Sequence, residues 1–459
     1  MTDISLLWLR QDLRLHDQPA LAAAAAEGAV VPVYILDDFS PGSWAIGGAQ
    51  RWWLHHSLAR LAEALEARGG KLILRRGETA AELAKVADEL GTRRIHAIRH
   101  YEPWWVNAEA RIAETHDLQL HDGNQLAPPR EAVNGSGAAY RVYSPFFRAL
   151  QGHFPPPEPV AAPERIAAPP QWPASDRLAD WSLLPAKPNW AAEFASAWTP
   201  GEAGALHALD AFAGGVPDYL ERRNLPSEEG TSRLSAHLHF GEISPATVYH
   251  RATKEGGDAG SKFIKELAWR DFTQAQMAAH PLIGERHARP TFDRFPWRRS
   301  EEAADDFEAW TSGRTGYPIV DAGMRQLWRI GWIHNRVRMI VASFLVKHLL
   351  IDWRDGGRWF WDTLVDADYG NNSVNWQWIA GSGFDSNQFV RIMAPLTQSS
   401  KFDAANYIRQ WVPELAGLSD EAIHDPDEYG ARPPAYPPKM IGHREARARA
   451  LQAYASLGA

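Results

Sequence analysis

The sequence predicts two fold classes in one chain, a doubly wound parallel α/β domain over residues 1–130 and an all-α domain over 205–459. Three observations carry this. The first 130 residues alternate short, near-continuous apolar runs with Ala/Leu/Glu-rich segments of helical period, the texture of strands buried on both faces. From 205 onward the apolar spacing is helical, broken by Gly and Pro, and β alternation is absent. Between them, eleven of the 32 prolines fall within 154–200. The stretch 131–204 therefore reads as an inter-domain linker, extended in places, ordered by its tryptophans packing down or else disordered.

Taken in order, strands are expected over 4–9, 30–36, 71–75, 94–99 and 119–121, with helices over 19–27, 51–68, 79–90 and 106–115. The second half predicts helices over 206–213, 246–251, 263–279, 319–330, 337–350 and 359–364. No G-x-G-x-x-G follows the first strand and no Walker lysine loop occurs, so the α/β domain announces neither a dinucleotide nor an ATP site.

Composition excludes several classes. The absence of Cys removes disulfides, thiolate zinc sites and Cys-ligated iron–sulfur clusters. Asp3 precedes a short apolar run with no small-residue cleavage site, so no secretory signal is expected. The longest apolar run, 339–346, is too short to span a bilayer, so a cytoplasmic protein without membrane contact is expected. A net charge of −8 means that any nucleic-acid surface must be gathered on one face by folding. No metal is expected: His237, His239, His55 and His56 read as core or solvated histidines.

Eleven of the 21 tryptophans lie between Trp269 and Trp411. A core accounts for any single one. The density suggests a second use, since indoles stack on flat ligands and bases and can give up one electron. Four polar segments sit among them. Thr231-Ser232-Arg233-Leu234-Ser235 offers three hydroxyls and a guanidinium, a phosphate cradle or an ordinary helix cap. Glu266 and Trp269 share a helix face at i, i+3, and Glu266 with Arg270 at i, i+4 forms by default a surface ion pair. Trp332 to Met339 crowds an amide, two Arg and a Met beside an indole. Asp366 to Asn372, ahead of Trp376-Gln377-Trp378, is either a ligand-like loop or a turn before a core element.

These segments, with Trp8-Leu9-Arg10-Gln11-Asp12-Leu13-Arg14, Tyr140 to Phe146, Thr315 to Ala322 and Asn375 to Trp378, occur in an order that resembles the photolyase/cryptochrome flavoprotein family, closest to its cyclobutane pyrimidine dimer branch and its bacterial class III members. The resemblance implies FAD in the helical domain, active as reduced FADH⁻. By matching position, Tyr219 and Thr231, Ser232, Arg233, Leu234 and Ser235 resemble the pyrophosphate contacts. Asn335, Arg338, Asp366 and Asp368 resemble residues around the ribose and isoalloxazine. Asn372 falls beside flavin N5, where Asn favours repair over sensing.

Glu266, Trp269, Arg270, Asn335, Met339 and Trp378 resemble a pocket for a flipped-out dimer, and Arg223, Arg391 and Lys401 contacts to the DNA backbone. Trp376, Trp353 and Trp297 resemble a photoreduction chain, with Trp328, Trp332, Trp359 and Trp361 as an alternative branch. The implied activity is light-dependent repair of UV-damaged DNA, double- or single-stranded, by electron transfer to the dimer. Glu266 would hydrogen-bond the dimer, its carboxyl protonated if the pocket is dry. A monomer without obligate protein partner is expected. An antenna chromophore is expected too, methenyltetrahydrofolate ahead of deazaflavin or FMN on the resemblance of Gly47 to His56. The alternatives are a cryptochrome-type blue-light sensor, against which the short chain beyond Gly442-His443-Arg444 weighs, a (6-4) photolyase, and a light-independent nucleotide- or flavin-binding protein.

Overall fold

A computed structural model describes residues 3–256, 260–386 and 389–458. Its first half is a five-stranded, all-parallel sheet: β1 Ile4–Leu9, β2 Ala29–Leu36, β3 Ile73–Arg76, β4 Arg94–Ile98 and β5 Asp117–His121, in spatial order β3-β2-β1-β4-β5. Helices α1 Pro19–Glu27, α2 Gly48–Glu66, α3 Thr79–Leu90 and α4 Pro103–Ala113 make the crossovers. Side chains alternate across a strand, and in β1 both sets are apolar. Leu6 and Trp8 join Leu83 and Val86 of α3 and Ile112 of α4 in one core. Leu7 and Leu9 join Leu21 of α1 and Leu58 of α2 in another, which runs on into the helical half. The near-continuous apolar strands are thus explained by two covered faces.

The connecting stretch lies against the molecule. Val30 donates to the carbonyl of Ala167, Ile166 to that of Arg68 and Asp176 to that of Leu74. Trp181 and Trp198 are buried, and the Trp198 indole donates to the Ile330 carbonyl.

The two halves meet through a polar joint. Leu13 donates to the Phe240 carbonyl, and Glu202 accepts from the amides of Leu15 and His16 at 3.0 and 2.7 Å. Arg14, wholly buried, donates to Asp17 O, Asn124 Oδ1, Gly241 O and Gly123 O. Glu242 accepts from the Trp53 indole and the Gly201 amide. His237 bonds Glu242 and His239 bonds Gln50.

The second half is helical. Glu202–Ala213, Pro245–Gly256, Gly260–Ala279, Pro318–Ile330, Trp353–Thr363, Tyr369–Ala380 and His443–Ala455 are its principal helices. One expectation is corrected here. The helix expected over 337–350 is Asn335–Ser343 followed by a π turn at Phe344–His348. Leu350 then takes a positive φ of 56°. The buried Lys347 of this turn donates to the Arg391 carbonyl at 3.0 Å, a tertiary tie that apolar spacing does not reveal. No described helix is long and apolar enough to cross a membrane.

Candidate functional site

Three helices turn polar or aromatic stripes toward one cavity. On Gly260–Ala279 the stripe is Phe263, Glu266, Trp269 and Arg270. On Asn335–Ser343 it is Asn335, Arg338, Met339 and Ala342. On Tyr369–Ala380 it is Asn372, Asn375, Trp376 and Ile379. Spacings of three and four place such residues one above another on a helix. Two caps fix where these helices begin: His334 accepts from Arg336 N at 3.2 Å, and Asp368 accepts from Asn371 N at 2.6 Å. The cavity holds about 530 Å³ and is also lined by Tyr219, Arg223, Thr231 to Ser235, Asp366, Asp368 and Trp378. Arg391 and Lys401 stand outside it, exposed.

The cavity fits a large polyanionic aromatic ligand. Its volume is in the ordinary range for small-molecule sites. The Nε atoms of Arg233, Arg336 and Arg338 and the indole nitrogen of Trp376 are buried without a partner, an arrangement that proteins avoid unless a ligand or water completes it. Arg233 takes a positive φ of 52°, a conformation that side chains rarely adopt outside constrained sites, and its guanidinium lies 5.0 Å from the centre of the Trp332 ring. Arg338 spans Asp366 at 3.1 and 3.3 Å. Asn372 donates to the Gly357 carbonyl at 2.9 Å. Next to it Gly356 is required by close packing, since a Cβ there would meet the Trp376 ring at 2.3 Å.

At the mouth, Glu266 accepts through Oε1 from both Arg223 and Lys262. Burial alone would raise its pKa, but these two cations hold it below the usual carboxylate value. That corrects the protonated carboxyl that a dry pocket suggests. Arg270 does not pair with Glu266 either; it donates to the carbonyls of Asn124 and Leu238, closing the joint between the halves. Trp269 stacks on Tyr143, ring centres 3.8 Å apart and 4° from parallel, so one face of this indole is already covered. Burial lowers His334 and His239 to about 4, which leaves both neutral at pH 7.

The tryptophans beyond the cavity fall into two lines. Trp353 donates to His287 at 3.3 Å, and the imidazole ring centre lies 5.8 Å from Trp353 and 6.4 Å from Trp297. The other line leaves Trp376 for Trp310 at 6.3 Å, Phe307 at 5.8 Å, Trp359 at 6.4 Å and Trp328 at 6.0 Å. Trp328 is 49% exposed. Of the other branch candidates, Trp332 packs on Trp198 and Trp361 on Trp44. Sequence reasoning missed Trp310, His287, Tyr143 and the cavity role of Arg336. Arg336 and Tyr143 carried a signal, each by lying inside a quoted motif.

Comparison with known proteins agrees with this geometry. A family profile described as "DNA photolyase" matches residues 5–164, and one described as "FAD binding domain of DNA photolyase" matches 263–456. The chain belongs to the DNA photolyase family. Its flavin is FAD. A curated deoxyribodipyrimidine photo-lyase from Agrobacterium fabrum is 45% identical to this photolyase-family chain, covering 98% of each. The crystal structure of a bacterial class III photolyase from Agrobacterium tumefaciens superimposes with a TM-score of 0.94 at 45% identity, covering 100% of this chain and 98% of that one. Cryptochrome-1 of Arabidopsis thaliana is 34% identical over 99% of this photolyase-family chain and 70% of its own length.

Proposed function

We propose that this protein is a light-driven DNA repair enzyme, a deoxyribodipyrimidine photo-lyase whose substrate is a cyclobutane pyrimidine dimer. The single observation that carries the reading is the convergence in one cavity of unpartnered arginine donors with Glu266, Trp269, Met339 and Trp378 at the mouth. A dimer within a duplex is out of reach, and the handling of a buried base requires its extrusion, at a few kcal/mol. Stacking on the free face of Trp269 and on Trp378 returns about 1–3 kcal/mol per base, enough to favour a poorly paired lesion over intact DNA. Arg223, Arg391 and Lys401 supply phosphate contacts without sequence readout.

When bound, reduced FAD supplies the one electron, raised by blue or near-UV light, that splits the cyclobutane ring. The protein holds, orients and keeps water out. Thr231 to Ser235 with Tyr219 would hold the pyrophosphate, Asp366 and Arg338 the ribose and ring, and Asn372 the flavin edge. Ionised Glu266, released from Arg223 and Lys262 or shared with them, hydrogen-bonds the dimer. A Glu266→Ala variant with unchanged repair yield per absorbed photon would remove that role. Trp376 begins the line through Trp310 and, by resemblance, precedes Trp353, so Trp376→Phe loses photoreduction while repair by chemically reduced protein persists. Trp353→Phe leaves the share carried by Trp310, Trp359 and Trp328.

Methenyltetrahydrofolate is the proposed antenna, supported by the 45% identity to a class III photolyase and by the Gly47 to His56 segment. A monomer in the cytoplasm is proposed, with damaged DNA, double- or single-stranded, as partner. The deciding experiment mixes reduced protein with an oligonucleotide carrying one thymine cyclobutane dimer, in the dark and under blue light, and counts intact thymine by chromatography. Restoration only in the light supports the reading. None, with FAD bound and reduced, points to the (6-4) lesion, tested next, and then to a blue-light sensor.

A further inference from the structure

His287 is buried between two members of the first tryptophan line, yet no step above uses it. Its Nδ1 accepts the indole N–H of Trp353 at 3.3 Å, and its ring lies 14° from parallel to that of Trp297. We propose that His287 is the proton acceptor for oxidised Trp353, so that the hole is held there as a neutral indolyl radical. This rests on the reading of Trp376, Trp353 and Trp297 as a photoreduction chain.

The step balances within the chain's own residues. Trp353 loses one electron to an oxidised Trp376, whose own electron has passed to the light-excited flavin in the cavity. The resulting indole radical cation is a strong N–H acid. Its proton moves along the existing hydrogen bond to Nδ1, giving a neutral radical and an imidazolium. Charge is conserved, and no water molecule has to reach the site. The proton returns when an external reductant fills the hole.

The groups around the imidazole set its resting state. Burial first, and then Arg354, lower His287 to about 4, against the opposing pull of Asp352 and Asp293. The ring is therefore neutral in the resting protein, and the acceptor is free across the neutral pH range. Asp352 and Asp293 are the carboxylates that face the imidazolium once it forms. While protonated, His287 sets a positive charge beside Trp297, which makes oxidation of that indole harder and slows passage of the hole outward.

Flash photolysis of FAD-loaded Trp297→Phe/Trp310→Phe protein tests the proposal, because with both lines cut the hole stops at Trp353. The expected result is a neutral tryptophan radical that forms more slowly in D2O and at a rate independent of pH and buffer in the neutral range. On the same background, His287→Phe, which keeps an aromatic ring, and His287→Asn, which accepts a hydrogen bond but is no base, both leave the radical cation. Neutral radical at an unchanged rate in both variants would assign the proton to solvent and overturn the role of His287. Absence of any tryptophan radical in the native protein would overturn the chain itself, and the proposal with it. A dark control needs no light chemistry: in 15N-tryptophan-labelled protein, the Trp353 indole N–H resonance should be protected from exchange and should shift in His287→Phe. An indole resonance indifferent to His287 would also overturn the proposal.

Discussion

Arg14 and Arg233 occupy two regions that look alike in sequence, each in a short polar motif with another charge close by. Their surroundings differ. Every nitrogen of Arg14 is bonded to a fixed protein oxygen. Among the described residues Arg233 pairs with the rim carboxylate of Glu229 and lies over Trp332, and its Nε is buried without a partner. The first arginine joins two domains, and the second lines the cavity with a donor left over. The lesson is that a buried cation marks chemistry where its donors are left over, because desolvated polar groups are otherwise paired.

The comparison breaks most easily at Arg14. Arg14→Met leaves four acceptors without their donor, and should cost about 1–3 kcal/mol of stability for each buried one left unpaired; a urea midpoint close to wild type would show that the joint is not what holds Arg14. Arg233→Met should do the reverse. Its exposed ion pair contributes roughly 0–1 kcal/mol to folding, whereas losing a charge-assisted contact weakens FAD binding by about 1.5–3 kcal/mol. Flavin retention on dilution, read by fluorescence, separates the two cases, and full retention would contradict the assignment.

Smaller effects sharpen the picture. Trp269→Ala or Trp378→Ala should weaken dark binding to dimer-containing DNA by about 1–3 kcal/mol per base lost and leave binding to undamaged DNA nearly unchanged; equal losses on both would make these indoles structural. Arg391→Ala and Lys401→Ala should lower affinity for all DNA alike, each reducing the slope of log K against log salt by about 0.9; an unaltered slope would move the phosphate contacts elsewhere. Glu266 gives the smallest signal. Its pKa is lowered in the folded state, so its ion pairs add stability above the ordinary Glu value of about 4.3 and lose it as pH falls through the lowered one. Glu266→Gln should be less stable than wild type at neutral pH, and the gap should close in acid. A constant gap would mean that charge is not the cause.

Much of the site was legible because helical period is written locally. Glu266 with Trp269, and Asn335 with Arg338 and Met339, share faces by spacing alone. What was not legible depends on distant parts of the chain. Tyr143 reaches Trp269 across more than a hundred residues, and Trp310 reaches Trp376 only when two helices pack. The Thr315 to Ala322 motif was recognisable but its work is scaffolding. Asp321, fully buried, accepts from Thr315, Gly316 and Tyr436 and pins the chain near 440 to the Pro318–Ile330 helix. The three central strands were visible as apolar runs, whereas the edge strand Asp117–His121 is largely polar and was legible only over 119–121. The order of the strands in space was not legible, since it is fixed by which crossover returns to which edge.

The stack of Tyr143 on Trp269 has a consequence for anyone dividing this protein. Tyr143 sits in the stretch that reads as a spacer, in the helix Tyr143–Leu150, and its hydroxyl donates to the Lys265 carbonyl. The spacer therefore covers the rear face of Trp269 in the cavity wall. A fragment beginning at residue 205 would keep the three helical stripes that line the cavity, yet its Trp269 indole would lack Tyr143 and stand unbraced. Such a fragment would also lose the core that the helical half shares with the sheet, so the indole and its shelf belong to the whole chain.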